Sequence, residues 1–166
     1  MKKVDKELLL LRHGKSNWHS GVRDFNRPLN KRGKRNAQQM GEWIGEQKFV
    51  PDLIISSPAK RALTTSEIVC EAMELSLDTI QTEESIYEAC LADLHQVLLH
   101  IPEGIQRCLL IGHNPGFEYL LSDLTADISI PDNEKRMPTA TLAYFELDSN
   151  WSSLQRRFRI QCPKDL

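Results

Sequence analysis

Two arginines and two histidines stand in polar segments that each follow a short apolar run or begin the next helix: Arg12, His13, Arg61 and His113. Arginine guanidinium groups stay charged and bind phosphate oxygens in a bidentate fork. A neutral imidazole is a nucleophile towards phosphorus, and its covalent intermediate splits one difficult step into two. Phosphoryl transfer needs mainly alignment and stabilisation of charge on the equatorial oxygens. These residue types therefore predict a phosphate site with His13 as the nucleophile.

Each of these residues also has an ordinary structural explanation when it is taken alone. A lone Arg-His pair near a strand end is more often a surface-loop pair than a catalytic one. Arg61, one turn into a predicted helix, would by default be solvated, and His113 before Asn-Pro-Gly fits a turn. The combination favours chemistry where the single residues do not. Positive neighbours would then lower the pKa of His13 and favour its neutral form.

Short apolar runs alternate with amphipathic segments along the chain and predict the elements that position these residues. The predicted strands lie at 8–11, 52–56, 108–111, 141–147 and 154–161, with a weaker extended segment at 79–81. The predicted helices run from a cap at Asn30 to about Gln47, from Ser57-Pro58 to Ala72, around Leu94 to Leu98, and from Pro115 to Leu124. Loops are expected at 14–28 and 126–138, with a turn near Ser149-Asn150.

This alternation predicts an α/β fold, a three-layer α/β/α sandwich around a central, mostly parallel sheet. A chain of 166 residues is long enough to bury a sizeable core, and we expect one domain spanning residues 1–166. Sites in such folds gather beyond the carboxyl ends of strands, which is where the polar segments fall. The fold therefore predicts that the two arginines and two histidines converge on one pocket.

Bulk composition narrows the class of protein. Lys+Arg 21 against Asp+Glu 23 give a net charge of -2, which offers no support for a nucleic-acid binder. No apolar stretch near the N-terminus is long enough for a membrane span or a signal peptide, so a cytoplasmic protein is expected. The four cysteines are expected to be buried free thiols: Cys70, Cys90, Cys108 and Cys162. The three tryptophans are expected to have packing roles: Trp18, Trp43 and Trp151.

Three motifs together resemble the histidine phosphatase superfamily, in its phosphoglycerate-mutase-like branch. They are Leu-Arg-His-Gly at 11–14, Ser-Ser-Pro-x-x-Arg-Ala at 56–62 and Gly-His-Asn-Pro-Gly at 112–116. The chain length, with Arg-Pro-Leu-Asn-Lys-Arg-Gly at 27–33 and Met-Pro-Thr-Ala at 137–140, is similar to the compact SixA group of phosphohistidine phosphatases. The resemblance runs from Leu8 to about Leu147, and it implies a phosphoglycerate-mutase-like fold.

The resemblance also implies a role for each matching residue. His13 would be the nucleophile that becomes phosphorylated, and His113 would stabilise the transferring group. Arg12 and Arg61 would bind the phosphoryl oxygens. Arg27 would join the phosphate pocket, although an arginine beside a proline also fits a salt-bridged loop. No cofactor and no metal ion are expected.

The proton donor for the leaving group stays open. Members of this branch usually place a Glu or Asp near the position of Glu88, which makes Glu88 the first candidate for the acid. The alternatives are Glu84, Asp93 or no acid at all. A phosphohistidine substrate needs little help, because its imidazole is already a good leaving group.

Four functions fit these residues. The first is removal of phosphate from phosphohistidine on a phosphotransfer or signalling protein, and the second applies the same mechanism to a small phosphate ester. The third is a non-catalytic phosphate-binding module. The fourth is a metallohydrolase using His13 and His113, which is disfavoured because the neighbouring arginines would repel a cation. The basic run 31–35 is a solvated face or steers an acidic partner, and the oligomeric state is left open.

Overall fold

The computed structural model describes residues 6–126, 136–148, 150–151 and 155–166, of which 155 and 156 by backbone alone. Within these residues six strands form one sheet: β1 (Lys6–Arg12), β2 (Leu53–Ser56), β3 (Ile80–Thr82), β4 (Arg107–Gly112), β5 (Leu142–Leu147) and β6 (Gln155–Gln161). The α-helices in the same residues are α1 (Lys31–Glu46), α2 (Lys60–Ala72), α3 (Leu91–Leu99) and α4 (Gly116–Thr125). None of these helices has the length and apolar character that crossing a membrane requires.

The strand order is β3-β2-β4-β1-β5-β6, which places β1 inside the sheet. β1 pairs in parallel with β4, β4 with β2, and β2 with β3. β5 runs antiparallel to both of its neighbours, β1 and β6. Residues Leu8 to Leu11 are completely buried, because both faces of the sheet are covered, and this explains their unbroken apolar run. The predicted mostly parallel sheet is confirmed.

Helices cover both faces of the sheet. Leu9 and Leu11 pack with the buried sides of α1 and α2, whereas Leu8 and Leu10 pack with those of α3 and α4. Burial of each leucine contributes about 2 kcal/mol, so β1 holds both helical layers to the sheet. The predicted three-layer α/β/α sandwich is confirmed. The parallel strands β1, β2 and β4 all end at one edge of this sheet.

Most predicted elements lie where the structure has them. The Asn30 side chain accepts a hydrogen bond from the Gly33 N–H (2.8 Å) and caps α1 as predicted. The weak segment at 79–81 is β3, and the helix predicted around Leu94 is α3. The loop predicted at 126–138 and the turn near 149 fall largely outside the described residues, since 127–135 and 149 are not among them.

Helix α2 begins later than predicted, at Lys60 rather than at Ser57-Pro58. The Ser57 N–H donates to the Ile111 carbonyl oxygen (3.0 Å). Its Oγ accepts a hydrogen bond from the Ala59 N–H (3.2 Å), and such local side-chain bonds compete with the helix. Ser57 therefore stays at the carboxyl end of β2 instead of entering the helix.

Two expectations about burial are wrong in part. Cys70 and Cys108 are buried free thiols, but Cys90 is exposed and Cys162 is half-buried. Cys90 is exposed because it lies at the N-terminal cap of α3 rather than inside the helix. Trp18, for which the sequence predicts a packing role, is mostly exposed on the loop after β1.

Candidate active site

The carboxyl ends of the parallel strands bring His13, Arg61 and His113 together. The His13 N–H donates to the Gly112 carbonyl oxygen (3.1 Å), which sets the end of β1 beside the end of β4. The ring centroids of His13 and His113 lie 5.1 Å apart. Arg61, in the first turn of α2, places its Nε 3.3 Å from His13 Nε2. These three side chains therefore face a common site at this edge of the sheet.

Hydrogen bonds hold His13 in one tautomer. Its Nδ1 lies 2.7 Å from the Gly14 carbonyl oxygen, which can only accept, so Nδ1 carries the proton. Its Nε2 faces the N–H of Arg61 Nε, which can only donate, so Nε2 presents a lone pair. Gly14 is fixed in turn, because its N–H donates to Thr65 Oγ1 (3.0 Å). The ring therefore offers an unprotonated Nε2 to an incoming electrophile.

Burial lowers the pKa of both site histidines to about 3. His13 is only 6% exposed, and the positive charges of Arg61 and Arg12 lower its pKa further. For His113, the charge of Arg61 is the next largest cause of the lowered pKa, and Asp24 opposes it. The lowered pKa of His13 agrees in direction with the prediction from sequence, but its main cause is burial rather than the guanidinium charges. Both imidazoles are uncharged at neutral pH.

Ser57 sets the orientation of His113. Its Oγ lies 2.7 Å from His113 Nε2 and accepts from the Ala59 N–H, and its own proton can be donated to Nε2. His113 Nδ1 is buried and has no hydrogen-bond partner within the described part of the chain. When Nε2 of a neutral ring accepts, Nδ1 carries the proton and can donate to an oxyanion. The sequence motif contains Ser57, but no signal in it reveals this contact.

Arg12 ends β1 directly before His13, and its positive charge lowers the pKa of both His13 and His113. Its Nη1 donates to the Met137 carbonyl oxygen (3.0 Å). Its Nε is buried without a hydrogen-bond partner among the residues described. A buried donor without a partner is costly, and a bound anion would satisfy it.

Asp24 is an acidic residue of the site that the sequence motifs do not single out. Its Oδ2 accepts from Arg61 Nη2 (3.0 Å) and from the Tyr87 hydroxyl (2.8 Å). Its Oδ1 pairs with Arg27 Nη1 (2.7 Å), and its carbonyl oxygen accepts from Arg61 Nη1 (2.7 Å). Burial raises the pKa of Asp24, but the hydrogen bonds and the two positive charges outweigh it and lower the pKa overall. The three-residue spacing from Arg27 is the one sequence signal for this arrangement.

Arg27 lies on the loop formed by residues 17–28, which we call the Trp18 loop. Its Nε donates to Ser16 Oγ (2.9 Å), and its guanidinium carbon lies 3.6 Å from the centroid of the Trp18 ring. Its charge also lowers the pKa of His113. Arg27 is therefore a salt-bridged loop residue that contributes positive charge to the site.

Glu88 lines a cavity of about 530 Å³ that opens beside Arg61 and His113. The other residues of its wall are Asp24, Tyr87, Ala89, Cys90, Asn114, Pro115, Gly116 and Tyr119. Glu88 is exposed and has a φ of 56°, in the left-handed region that non-glycine residues adopt uncommonly. Asp93 instead accepts from the Cys90 N–H (2.8 Å) at the start of α3, and Glu84 is not part of the cavity wall.

A metal site would need ligands beyond the two histidines. The part of the chain that the structure describes holds no group of three or more His, Cys, Asp or Glu side chains suited to a metal ion. The charges of Arg12 and Arg61 act on both imidazoles and oppose a cation there. Fixed guanidinium groups and imidazole N–H donors are suited to an oxyanion such as phosphate.

Known proteins share this sequence pattern and fold. A sequence model of the histidine phosphatase superfamily (branch 1) matches residues 8–100. An uncharacterized protein of Mycobacterium tuberculosis is 24% identical over 151 residues, 87% of this chain and 92% of that protein. The crystal structure of a putative phosphohistidine phosphatase SixA from Agrobacterium tumefaciens superposes with a TM-score of 0.77 at 26% identity, over 93% of this chain and 97% of that chain. A protein histidine phosphatase SixA complexed with tungstate gives a TM-score of 0.78 at 22% identity, over 96% and 98% of the two chains.

Proposed function

The chain belongs to the histidine phosphatase superfamily (branch 1), and on that premise we propose that it is a phosphatase whose phosphoryl carrier is His13. The proposed substrate is phosphohistidine on a phosphotransfer or signalling protein. The proposal depends on one observation above all, the lone pair of His13 Nε2 held beside Arg61 and His113. Similarity to the Agrobacterium tumefaciens SixA protein, described as a putative phosphohistidine phosphatase, supports the substrate class.

In the first step, His13 Nε2 attacks the phosphorus of the substrate. A bond forms between Nε2 and phosphorus while the phosphorus–nitrogen bond of the substrate breaks. The substrate imidazole leaves with the electron pair of that bond and takes a proton from water. Positive charge then develops on the His13 ring, and the hydrogen bond from Nδ1 to the Gly14 carbonyl oxygen (2.7 Å) stabilises it.

Three donors are available for the oxygens of the transferring group. They are the guanidinium of Arg61, the Nε of Arg12 and the Nδ1 of His113, the last two being buried without partners in the described chain. Arg61 Nε faces the nucleophilic lone pair, so it lies where a phosphoryl oxygen arrives as the new bond forms. Donors that are in place beforehand stabilise the transition state with little reorganisation.

In the second step, water attacks the phosphorus carried by His13. The bond between Nε2 and phosphorus breaks, its electron pair returns to Nε2, and inorganic phosphate leaves. The attacking water loses a proton, which neutralises the hydroxide left when water protonated the leaving imidazole in the first step.

A small phosphate ester is the second candidate substrate, and the position of Glu88 favours it. An alkoxide leaving group needs a proton as the bond to phosphorus breaks. Glu88 lines the cavity that also exposes Arg61 and His113, where such a leaving group would lie. With an ester, Glu88 would donate this proton in the first step and recover it from water in the second.

The reaction is proposed to need no metal ion, because Arg12, Arg61 and His113 supply the donors and charge that the phosphoryl oxygens require. Activity is expected to be unchanged in excess chelator. Loss of activity that added zinc or manganese restores would contradict this.

The test is a substrate panel on the wild type, on His13→Ala and on a matched control, His100→Ala. His100 is exposed, and its ring Nδ1 bonds the Gln96 carbonyl oxygen (2.7 Å) on its own helix, so its replacement should not affect the site. His13→Ala is expected to lose turnover of a phosphohistidine protein and of phosphate esters alike, whereas the control keeps both. An acid-labile, base-stable phosphate should be trapped on the wild type and not on His13→Ala. A preference for small esters would overturn the proposed substrate, and absence of the trapped phosphate at saturating substrate would overturn the mechanism.

A further inference from the structure

Four large apolar side chains are exposed on the two segments that flank the phosphate site. Trp18 is 68% exposed, Val22 51% and Phe25 36%, all on the Trp18 loop. Tyr119, in the first turn of α4, is 57% exposed. We call these four residues the aromatic rim. Exposed apolar groups that cluster around a polar pocket are typical of a surface that binds another molecule.

Ring contacts connect the aromatic rim to the phosphate site. Phe25 meets the edge of Tyr87 at 5.1 Å between centroids, and Tyr87 meets His113 at 5.7 Å. Tyr119 lines the same cavity as Tyr87 and His113 on the side of α4. A ligand that packs on Phe25 and Tyr119 therefore lies beside the cavity that Arg61 and His113 line.

The Trp18 loop is held in place although its apolar side chains are exposed. The Asn17 N–H donates to the Pro28 carbonyl oxygen (2.8 Å), which ties the two ends of the loop together. Asp24 fixes its middle by accepting hydrogen bonds from Arg61 (3.0 Å) and Tyr87 (2.8 Å). A partner that binds this surface need not order it first, and this lowers the cost of binding.

The charges of the Trp18 loop, its flanking residues and the start of α2 favour an acidic partner. Residues 12–29 contain four basic side chains and one acidic side chain, Asp24, and α2 begins with two further basic residues. The exposed members are Lys15, Arg23 and Lys60. Opposite charge on the partner would speed association and select among candidate proteins.

We infer that the aromatic rim is the docking surface for an acidic protein that carries the phosphohistidine, an inference that rests on the proposed function. The phosphorylated side chain enters the cavity towards His13, while the surrounding protein surface packs on Trp18, Val22, Phe25 and Tyr119. Trp and Tyr are the residue types that most often dominate such interfaces. A free phosphorylated imidazole reaches the same nucleophile without touching Trp18 or Val22.

The experiment compares two probes on the same variants. One probe is an acidic histidine phosphotransfer domain phosphorylated with phosphoramidate, and the other is phosphoimidazole. The rim variants are Trp18→Ala, Val22→Glu and Val22→Lys, and the matched control is Leu99→Glu on α3, an equally exposed apolar residue away from the site.

Trp18→Ala is expected to raise KM for the phosphorylated domain about tenfold and to leave turnover of phosphoimidazole within twofold. Val22→Glu should raise KM for the domain because it repels an acidic surface, whereas Val22→Lys and Leu99→Glu should not. Equal losses on both probes, or an unchanged KM for the domain in Trp18→Ala and Val22→Glu, would overturn the docking surface. A wild type that turns over neither probe would instead overturn the proposed function.

Discussion

Arg61 Nε lies 3.3 Å from His13 Nε2, and the same guanidinium donates to both the carbonyl and the carboxylate of Asp24 (2.7 and 3.0 Å). Arg61 thus connects the proposed nucleophile, His13, to an acidic residue on a different segment of the chain. Because each of its three nitrogens donates a hydrogen bond, the guanidinium is held in position before a phosphate arrives. Such preorganised charge is the main contribution that a protein makes to phosphoryl transfer.

Removal of the Asp24 carboxylate should lower activity by releasing Arg61. Asp24→Ala is expected to reduce kcat/KM about tenfold to a hundredfold, because a misplaced guanidinium no longer fits the transferring group. Asp24→Asn keeps an acceptor oxygen and should lose less. Initial rates with phosphohistidine as the substrate measure the loss in both variants. Asp123→Asn is the control, since the exposed Asp123 pairs with the half-buried His95 (2.8 Å), and wild-type activity in Asp24→Ala would refute the role.

Ser57→Ala should lower kcat more than it changes KM. The substitution removes the hydroxyl that lies 2.7 Å from His113 Nε2, so the ring no longer has a fixed tautomer and Nδ1 is not always protonated. We expect kcat to fall about tenfold, with Ser57→Thr retaining more activity than Ser57→Ala. Steady-state kinetics give the two parameters. Ser85→Ala, which removes an exposed hydroxyl bonded to Glu83 (2.7 Å), should change neither, and an equal effect there would count against the assignment.

Local pattern in the sequence was enough to predict the sheet and its edge. The leucines of 8–11 form a buried central strand because both faces of a parallel sheet are covered, and Asn30 caps α1 because its side chain replaces a missing helical acceptor. The parallel arrangement of β1, β2 and β4 then brings His13, Arg61 and His113 to one edge. These predictions use only neighbouring residues and a topology rule.

Contacts between distant segments could not be predicted in this way. Asp24 is 37 residues from Arg61 and 63 from Tyr87, and no local period links them. The sequence predicts that Ser57 begins a helix, but its bonds to Ile111 and Ala59 hold it at the carboxyl end of β2 instead. Trp18 is predicted to pack, but its type does not reveal that its partner is Arg27 at the surface rather than the apolar core. In each case a tertiary contact overrides the local preference.

Glu88→Gln should separate the two candidate substrates. If Glu88 donates the proton to an ester leaving group, the substitution should lower kcat on a phosphate ester about a hundredfold. Turnover of phosphohistidine should fall by less than about threefold, because imidazole needs little protonation to leave. Glu84→Gln is the control, since Glu84 is not part of the cavity wall. Equal losses on both substrates, or no loss on the ester, would show that Glu88 is not the acid.

Stability should fall as the pH is lowered from 6.5 towards 3, because the pKa of both His13 and His113 drops to about 3 in the folded protein. Between that value and the ordinary pKa of about 6.5, the unfolded chain binds more protons than the folded chain, so unfolding becomes easier. The stabilisation is fully present above pH 6.5. Each histidine contributes a slope on the order of 1 kcal/mol per pH unit.

Urea unfolding at pH 7.0 and pH 5.5 measures this dependence. The loss of unfolding free energy between the two pH values should be smaller in His13→Asn than in the wild type, since one buried imidazole is gone. His100→Asn, at an exposed position, should keep the wild-type difference. A His13→Asn protein with the same pH dependence as the wild type would mean that His13 is not desolvated.

Gly33→Ala should damage both stability and activity, because α1 and the segment after β1 are in backbone contact at this point. A methyl group at Gly33 would overlap the Lys15 carbonyl oxygen, and one at Gly14 would lie 2.7 Å from the Gly33 carbonyl oxygen. The chain must move apart near His13, which we expect to cost about 2 kcal/mol and to lower kcat. Gly45→Ala on the same helix meets no described atom within 4 Å and should instead stabilise the protein by about 0.5 kcal/mol. Urea unfolding and turnover of both variants test the contrast, and a similar response at the two positions would show that no close approach exists at Gly33.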